Sequence, residues 1–308
     1  MNVAVVGAGA LGCLFGGRLA AAGQDVWLLH HRQSYVDRLN EDGLRIESDV
    51  DGLESTTVSI PATTDADEVA HVDLVLVFVK AHQTRAALEQ HKECISPETR
   101  VLSLQNGIRH YDHLVDFVGE RRALAGVTYQ GAVVEEPGVV RHTSDGSSTF
   151  GGADAEFARK AERALVDAGF PIKRVDDPLP AIWSKQLISL PIKPLAALTR
   201  LPSGKLVEQE ELVAFMDKII MEAERVAAAK GIEIPNEEPL ETVIEICEAG
   251  DSHRSSMLQD VLAERKTEIN AVNGAIVELS REEGVDVPAN ELVTWLVRGL
   301  ERSYLDGR

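Results

Sequence analysis

The chain has 308 residues, 44% hydrophobic and 26% charged, a composition that excludes a disordered chain and suits two globular domains rather than one. Its 50 acidic against 31 basic residues leave a net charge of -19, a field that disfavours phosphate backbones and anionic membrane surfaces, so no nucleic-acid partner is expected. Cys13, Cys94 and Cys247 form no CxxC pair and no metal-ligand spacing with histidine, and no stretch is apolar for long enough to span a bilayer; no metal, no membrane and a cytoplasmic location are the expectations.

Val3 to Val6 is a short β-branched apolar run that reads as a buried strand, and it ends in Gly7-Ala8-Gly9-Ala10-Leu11-Gly12. A helix carrying Leu11, Phe15, Leu19 and Ala22 follows, stops at Gly23, and leads into a second strand, Asp25 to Leu29, which completes a βαβ unit. Further buried strands are predicted at Leu74 to Val79, Arg100 to Leu104 and Ala123 to Val127, an alternation that implies a mainly parallel sheet covered on both faces. The stretch from Gly131 to Gly152 reads as a hairpin appended to that sheet. Beyond Pro180 the period changes: Leu212, Phe215, Met216, Ile219, Ile220, Ala223 and Val226 fall at helical spacing, and no strand is expected after residue 185. The boundary is placed in Asp176-Asp177-Pro178-Leu179-Pro180, where two prolines interrupt any helix. The expected class is α/β: a Rossmann-type dinucleotide-binding domain over residues 1–176 and an all-helical substrate and catalytic domain over 177–308.

The glycine string is in the context its function requires, between a strand and a helix. Gly7 permits the tight turn, Gly9 lets backbone approach a pyrophosphate, and Gly12 lets helix and strand pack closely, with Ala8, Ala10 and Leu11 supplying the rest of the cradle. A carboxylate at the end of the second strand would hold the ribose 2′-hydroxyl of NAD(H). The residues there are His30-His31-Arg32 instead, and Arg32 is suited to a 2′-phosphate, so NADP(H) is favoured over NAD(H). An ordinary solvated loop is the competing reading of that cluster.

The second half carries Trp183-Ser184-Lys185, Ser255-Ser256-Met257-Leu258-Gln259-Asp260, Thr267-Glu268-Ile269 and Asn273-Gly274. Together with the N-terminal fingerprint, Lys80 and Leu104-Gln105-Asn106-Gly107, in this order and over nearly the whole chain, they closely resemble the ketopantoate reductase (2-dehydropantoate 2-reductase) family. The resemblance implies hydride transfer from NADPH to the ketone of a 2-oxo acid in a cleft between domains, as in the conversion of ketopantoate to pantoate in pantothenate biosynthesis. By matching motif, Lys185 resembles the family's general acid, Glu268 its partner carboxylate, Ser256 a substrate-binding hydroxyl, Asn106 a residue contacting cofactor and substrate, and Lys80 a lysine near the nicotinamide. These residue types suit the chemistry, because hydride addition builds negative charge on oxygen and a cation that also donates a proton stabilises it. Taken singly, a Lys or Glu on a helix is usually a solvated surface residue.

The chain also departs from the family. Where the family places three substrate asparagines after the lysine, this sequence has Ser189, Lys193 and Ser203. Lost amides alter recognition of a substrate hydroxyl while leaving the reductase chemistry in place. The expected function is NAD(P)H-dependent reduction of a 2-oxo acid, with ketopantoate as the family's substrate and another branched or dicarboxylic 2-oxo acid as the alternative. Lys193 is two helical turns from Lys185 and is read either as facing the substrate or as pointing to water. A non-catalytic NADP-binding sensor is the reading from outside the enzymes. A homodimer is among the assemblies the sequence allows.

Overall fold

The computed structural model describes residues 1–236, 238–250 and 252–306. Two compact units emerge from it: Met1–Gln105 with His110–Pro178, and Asn106–Arg109 with the chain from Leu179 onward.

The first unit is built on β1 (Asn2–Val6), α1 (Ala10–Ala21), β2 (Asp25–Leu29), α2 (Gln33–Asp42), β3 (Leu44–Ser48), β4 (Thr56–Val58), β5 (Ala62–Thr63), β6 (Leu74–Val77), α3 (Thr84–Gln90), β7 (Arg100–Ser103), α4 (His110–Val118), β8 (Ala123–Glu136), β9 (Val139–Gly151), α5 (Ala155–Asp167) and β10 (Ile172–Val175). The strands form one sheet in the order β4-β3-β9-β8-β7-β6-β1-β2-β5, with β10 alongside β9. Among the described residues, pairings are parallel except β3 with β4 and β8 with β9. The apolar run of β1 is explained by burial on both sides: Val3 and Val5 belong to the same core as Phe15 and Leu28, while Ala4 and Val6 join Val75, Val77 and Leu114 on the opposite face. Helix α1 is anchored by Leu14, Phe15 and Leu19, each fully buried and each contributing about 1.5–3 kcal/mol of transfer free energy. Phe15 also stacks on Phe170 at 4.1 Å.

One expected element is redrawn. The strand starting at Ala123 does not stop at Val127; β8 continues to Glu136 and turns at Pro137-Gly138 into β9, so strand and hairpin are one long ribbon. Gly126 and Gly131 read locally as breaks, but a Cβ on either would strike the opposing strand, at Thr149 and Ser144, so they mark close approach between paired strands. Register shifts along β8 absorb the extra residues as bulges.

The second unit consists of α6 (Leu179–Thr199), α7 (Ser203–Val207), α8 (Glu210–Ala229), α9 (Pro239–Ala249), α10 (Ser256–Leu262), α11 (Asn273–Glu283) and α12 (Pro288–Leu305). Its core gathers Trp183, Leu187 and Leu190 of α6, the Met216, Ile219, Ile220, Ala223 and Val226 stripe of α8, Ile276 of α11 and Val293 of α12. Ile108, from the short segment Asn106–Arg109, is buried in the same core. Among the described residues no strand follows Val175, and no helix is long and apolar enough to cross a membrane.

Candidate active site

In the sheet unit, β1 ends in a tight glycine turn that leads into α1. Gly7 has φ +100°, a region that side chains avoid, and a Cβ there would lie 2.6 Å from the backbone nitrogen of Val79. Gly12 packs helix on turn so closely that a Cβ would strike the Gly7 carbonyl. Gly9 differs from both: its φ of -85° suits any residue, and an added Cβ would meet nothing within 4 Å among the described residues. The space in front of Gly9 is therefore kept open at the N-terminus of α1, where no acidic residue sits in the first turn and no side chain caps the helix. Ala10, Leu11 and Gly12 thus carry first-turn N–H groups that lack helical partners, and a pyrophosphate satisfies such groups while meeting the positive end of the dipole. The buried Ala8 donates its N–H to the Leu29 carbonyl at 3.2 Å, tying the turn to β2. The cradle fits a dinucleotide.

Beside it lies a pocket of about 140 Å³ lined by Gly7, His30, His31, Val79, Gln83 and His91, among others. His30 stacks on Tyr35 at 4.2 Å, and its Nδ1 accepts the Arg32 N–H at 3.1 Å. Burial, then the charge of His31, drive its pKa down to about 4, so His30 is neutral at physiological pH. Arg32 stands exposed at the N-cap of α2, whose first turn also contains no acidic residue. Lys80 is half-buried just beyond β6. Its segment is steadied by Gln105, which donates to the Val79 carbonyl at 2.5 Å and to Thr84 Oγ1 at 2.9 Å, while its own Oε1 accepts from Ser103 Oγ at 2.8 Å. Neither Gln105 nor His91 stands out in the sequence as a site residue; only the pairing of β6 with β7 brings Gln105 under Val79.

In the helical unit, three residues far apart in sequence meet. Lys185 of α6 donates from Nζ to Asn106 Oδ1 at 3.1 Å, and Asn106 Nδ2 donates to Glu268 Oε2 at 3.4 Å. The Asn106 amide is thus turned with its oxygen to the ammonium and its nitrogen to the carboxylate. Gly107, at φ +105°, lets the segment run close to α11's leading turn, where a Cβ would lie 2.9 Å from the Ala271 carbonyl, and Ile108 N–H donates to that same oxygen at 3.3 Å. Arg109 fastens the far end of the segment by an ion pair to Glu282 at 2.8 Å. Lys185 is drawn down to about 7, first by burial of its ammonium and then by the charge of Lys193, with Glu268 opposing both.

The remaining predicted residues are in the same unit. Ser189 and Lys193 are half-buried on α6, one and two turns beyond Lys185. Ser203 opens α7, buried, with an Oγ that makes no hydrogen bond among the described residues. Ser256 is exposed as the first residue of α10, and the neighbouring Ser255 is the one committed to capping, its Oγ accepting the Leu258 N–H at 3.2 Å. Among the described residues no cluster of His, Cys, Asp and Glu could hold a metal ion.

The model of ketopantoate reductase PanE/ApbA matches residues 3–155, and that of its C-terminal domain matches residues 177–301. The chain belongs to the ketopantoate reductase family. It is 33% identical over 304 residues to the 2-dehydropantoate 2-reductase of Pyrococcus abyssi, covering 98% of each chain, and 34% identical over 307 residues to that of Halobacterium salinarum, covering 98% of this chain and 99% of that one. Among solved structures, the PanE/ApbA family ketopantoate reductase from Ralstonia eutropha superposes with a TM-score of 0.90 at 33% identity, covering 99% of both chains. A D-mandelate dehydrogenase with NADH and anilino(oxo)acetate follows with a TM-score of 0.89 at 29% identity, also over 99% of both chains. This ketopantoate reductase family member is therefore an oxidoreductase of the 2-oxo acid and 2-hydroxy acid type that uses a nicotinamide dinucleotide and a small-molecule substrate.

Proposed function

We propose that the protein reduces a 2-oxo acid at the carbonyl next to its carboxylate, with Lys185 as the proton donor and NADPH as the preferred reductant. The sheet unit, taken as the cofactor domain, would hold the pyrophosphate on Gly7 to Gly12 and the 2′-phosphate on Arg32, with Lys80 beside the nicotinamide. When bound there, the reduced nicotinamide would supply the hydride. The observation that carries the reading is the linked set Lys185–Asn106–Glu268, an ammonium held by an amide that is held in turn by a carboxylate. As charge grows on the carbonyl oxygen, the Lys185 ammonium both stabilises it and delivers the proton, and a pKa near 7 places the donor close to the operating pH, where general acid catalysis is most effective. The charge of Glu268 favours the ammonium form against burial and the charge of Lys193. A sensor that only bound the dinucleotide would need no such donor.

Ser256, Ser189 and Ser203 are assigned to the substrate's carboxylate and side chain, with Asn106 shared between substrate and cofactor. Ketopantoate is the substrate named for the relatives. A second reading, a dicarboxylic 2-oxo acid, is favoured by Lys193, whose charge reaches Lys185 and would pair with a second carboxylate by charge-assisted hydrogen bonding. A panel of 2-oxo acids assayed with NADPH and with NADH tests both readings. For the dicarboxylic one, Lys193→Ala raises KM for the best dicarboxylic substrate by about tenfold and changes monocarboxylic substrates little. Efficient turnover of ketopantoate with Lys193→Ala neutral on every substrate would remove that reading and leave Lys193 a solvated residue.

A further inference from the structure

Helix α6 carries Lys185 and Lys193, yet it contains Pro191 and Pro194 in its interior. A proline has no N–H to donate and its ring crowds the carbonyl four residues earlier, so Pro194 leaves the Leu190 carbonyl without its helical donor. That carbonyl is satisfied from outside the helix: Asn273 Nδ2 donates to it at 3.0 Å. The same nitrogen donates to Asn290 Oδ1 at 3.1 Å, and Asn290 Nδ2 donates to Glu222 Oε2 at 2.8 Å and to the Ile219 carbonyl at 3.1 Å. The Glu222 carboxylate closes the chain by accepting the N–H groups of Ala289 at 2.8 Å and Asn290 at 2.9 Å, at the start of α12. Asn273 and Asn290 are fully buried and Glu222 nearly so, which makes each bond costly to lose.

Asn273 is also the first residue of α11, the helix that follows Glu268. The intervening turn is closed on itself: Ala271 and Val272 donate their N–H groups to the Glu268 carbonyl at 2.9 and 3.1 Å, and Gly274 donates to Ile269 at 2.9 Å. Leu190 is five residues beyond Lys185 and Asn273 five beyond Glu268, so one side-chain hydrogen bond joins the helix that bears the ammonium to the turn that bears the carboxylate.

We propose that Asn273 is a positioning residue for the reaction: by holding the proline-interrupted part of α6 to the head of α11, it sets the approach of Lys185 to Glu268. The inference rests on Lys185 being the proton donor only where turnover is concerned; the geometry can be read without turnover. Titration of Lys185 by NMR of 13Cε-labelled lysine, with Lys185→Arg to assign the resonance, reports its surroundings directly: Glu268 across from it, Lys193 on the same helix and the neutral Asn106 amide. In Asn273→Leu the midpoint falls by roughly half a pH unit or more, because Glu268 no longer supports the charged form as closely. Turnover falls about tenfold, as expected for a donor displaced by a fraction of an ångström, while NADPH affinity stays near wild type. If the midpoint and turnover of the folded variant are unchanged and only its melting temperature drops, Asn273 is a purely structural residue and the proposal is overturned.

Asn273→Leu combined with Pro194→Ala guards against misfolding, because replacing the proline restores a backbone N–H for the Leu190 carbonyl while the tether to α11 remains absent. Recovery of stability with the Lys185 midpoint still displaced supports the proposal. Recovery of stability, midpoint and turnover together overturns it, since Asn273 would then have done no more than satisfy a carbonyl. Retained turnover in Lys185→Ala would remove the proton-donor reading and leave the NMR result to judge the positioning by itself.

Discussion

The glycine turn proposed as the cofactor cradle and the Lys185–Asn106–Glu268 set proposed to donate the proton are built in opposite ways. The cradle is made of backbone: Gly7, Gly9 and Gly12 contribute the absence of side chains, and what a ligand meets is the end of α1. Its parts are contiguous in sequence. The donor set is made of side chains, and Asn106, Lys185 and Glu268 are separated by 79 and 162 residues along the chain for the two hydrogen bonds that join them. A backbone site is fixed by local sterics and has few adjustable parts, whereas a side-chain site depends on packing elsewhere and can be retuned by single substitutions.

The largest expected effect breaks the donor set while leaving the cradle whole. Lys185→Ala lowers kcat by about a hundredfold or more, the usual contribution of general acid catalysis, and leaves NADPH affinity nearly unchanged by fluorescence titration. The pH dependence follows from the same group. With Lys185 at about 7, the ammonium is present below that pH and lost above it, so kcat/KM for reduction declines as pH rises through about 7. Wild-type turnover in Lys185→Ala, or a reduction rate that climbs across that range, would place the donor elsewhere.

A smaller effect breaks the cradle alone. Gly9→Val weakens NADPH binding by roughly tenfold or more while the melting temperature stays within a few degrees, since the added atoms enter open space rather than the fold. Gly12→Ala provides the contrast, because its Cβ collides with the Gly7 carbonyl and stability drops as well. Equal loss of stability in both would mean that the space before Gly9 is structural.

The smallest effect sharpens the comparison at the rim, where the Arg32 side chain is proposed to add to the backbone site. Arg32→Ala reduces the preference for NADPH over NADH by about fivefold, in line with one exposed, charge-assisted contact. An unchanged ratio in cofactor titrations would make Arg32 an ordinary helix-capping position.

The parallel sheet, the βαβ unit, the helical second half and the tight glycine turn between β1 and α1 were legible in the sequence, because apolar runs, helical periodicity and turn glycines act over a few residues. Strand β3 and the continuous β8–β9 ribbon were not. Leu44–Ser48 pairs with a strand some 90 residues away, and the close contacts made by Gly126 and Gly131 resemble breaks until the partner strand is present. The types of Lys185, Glu268 and Asn106 could be read through resemblance to a family. That Asn106 lies between the other two, oxygen to one and nitrogen to the other, was decided only by the tertiary structure. The same is true of Gln105 under Val79, Arg109 against Glu282 and Asn273 on the Leu190 carbonyl. The physical reason is range: propensity and periodicity are properties of neighbouring residues, while a desolvated ammonium and an orphaned carbonyl acquire their partners only when distant segments are packed together.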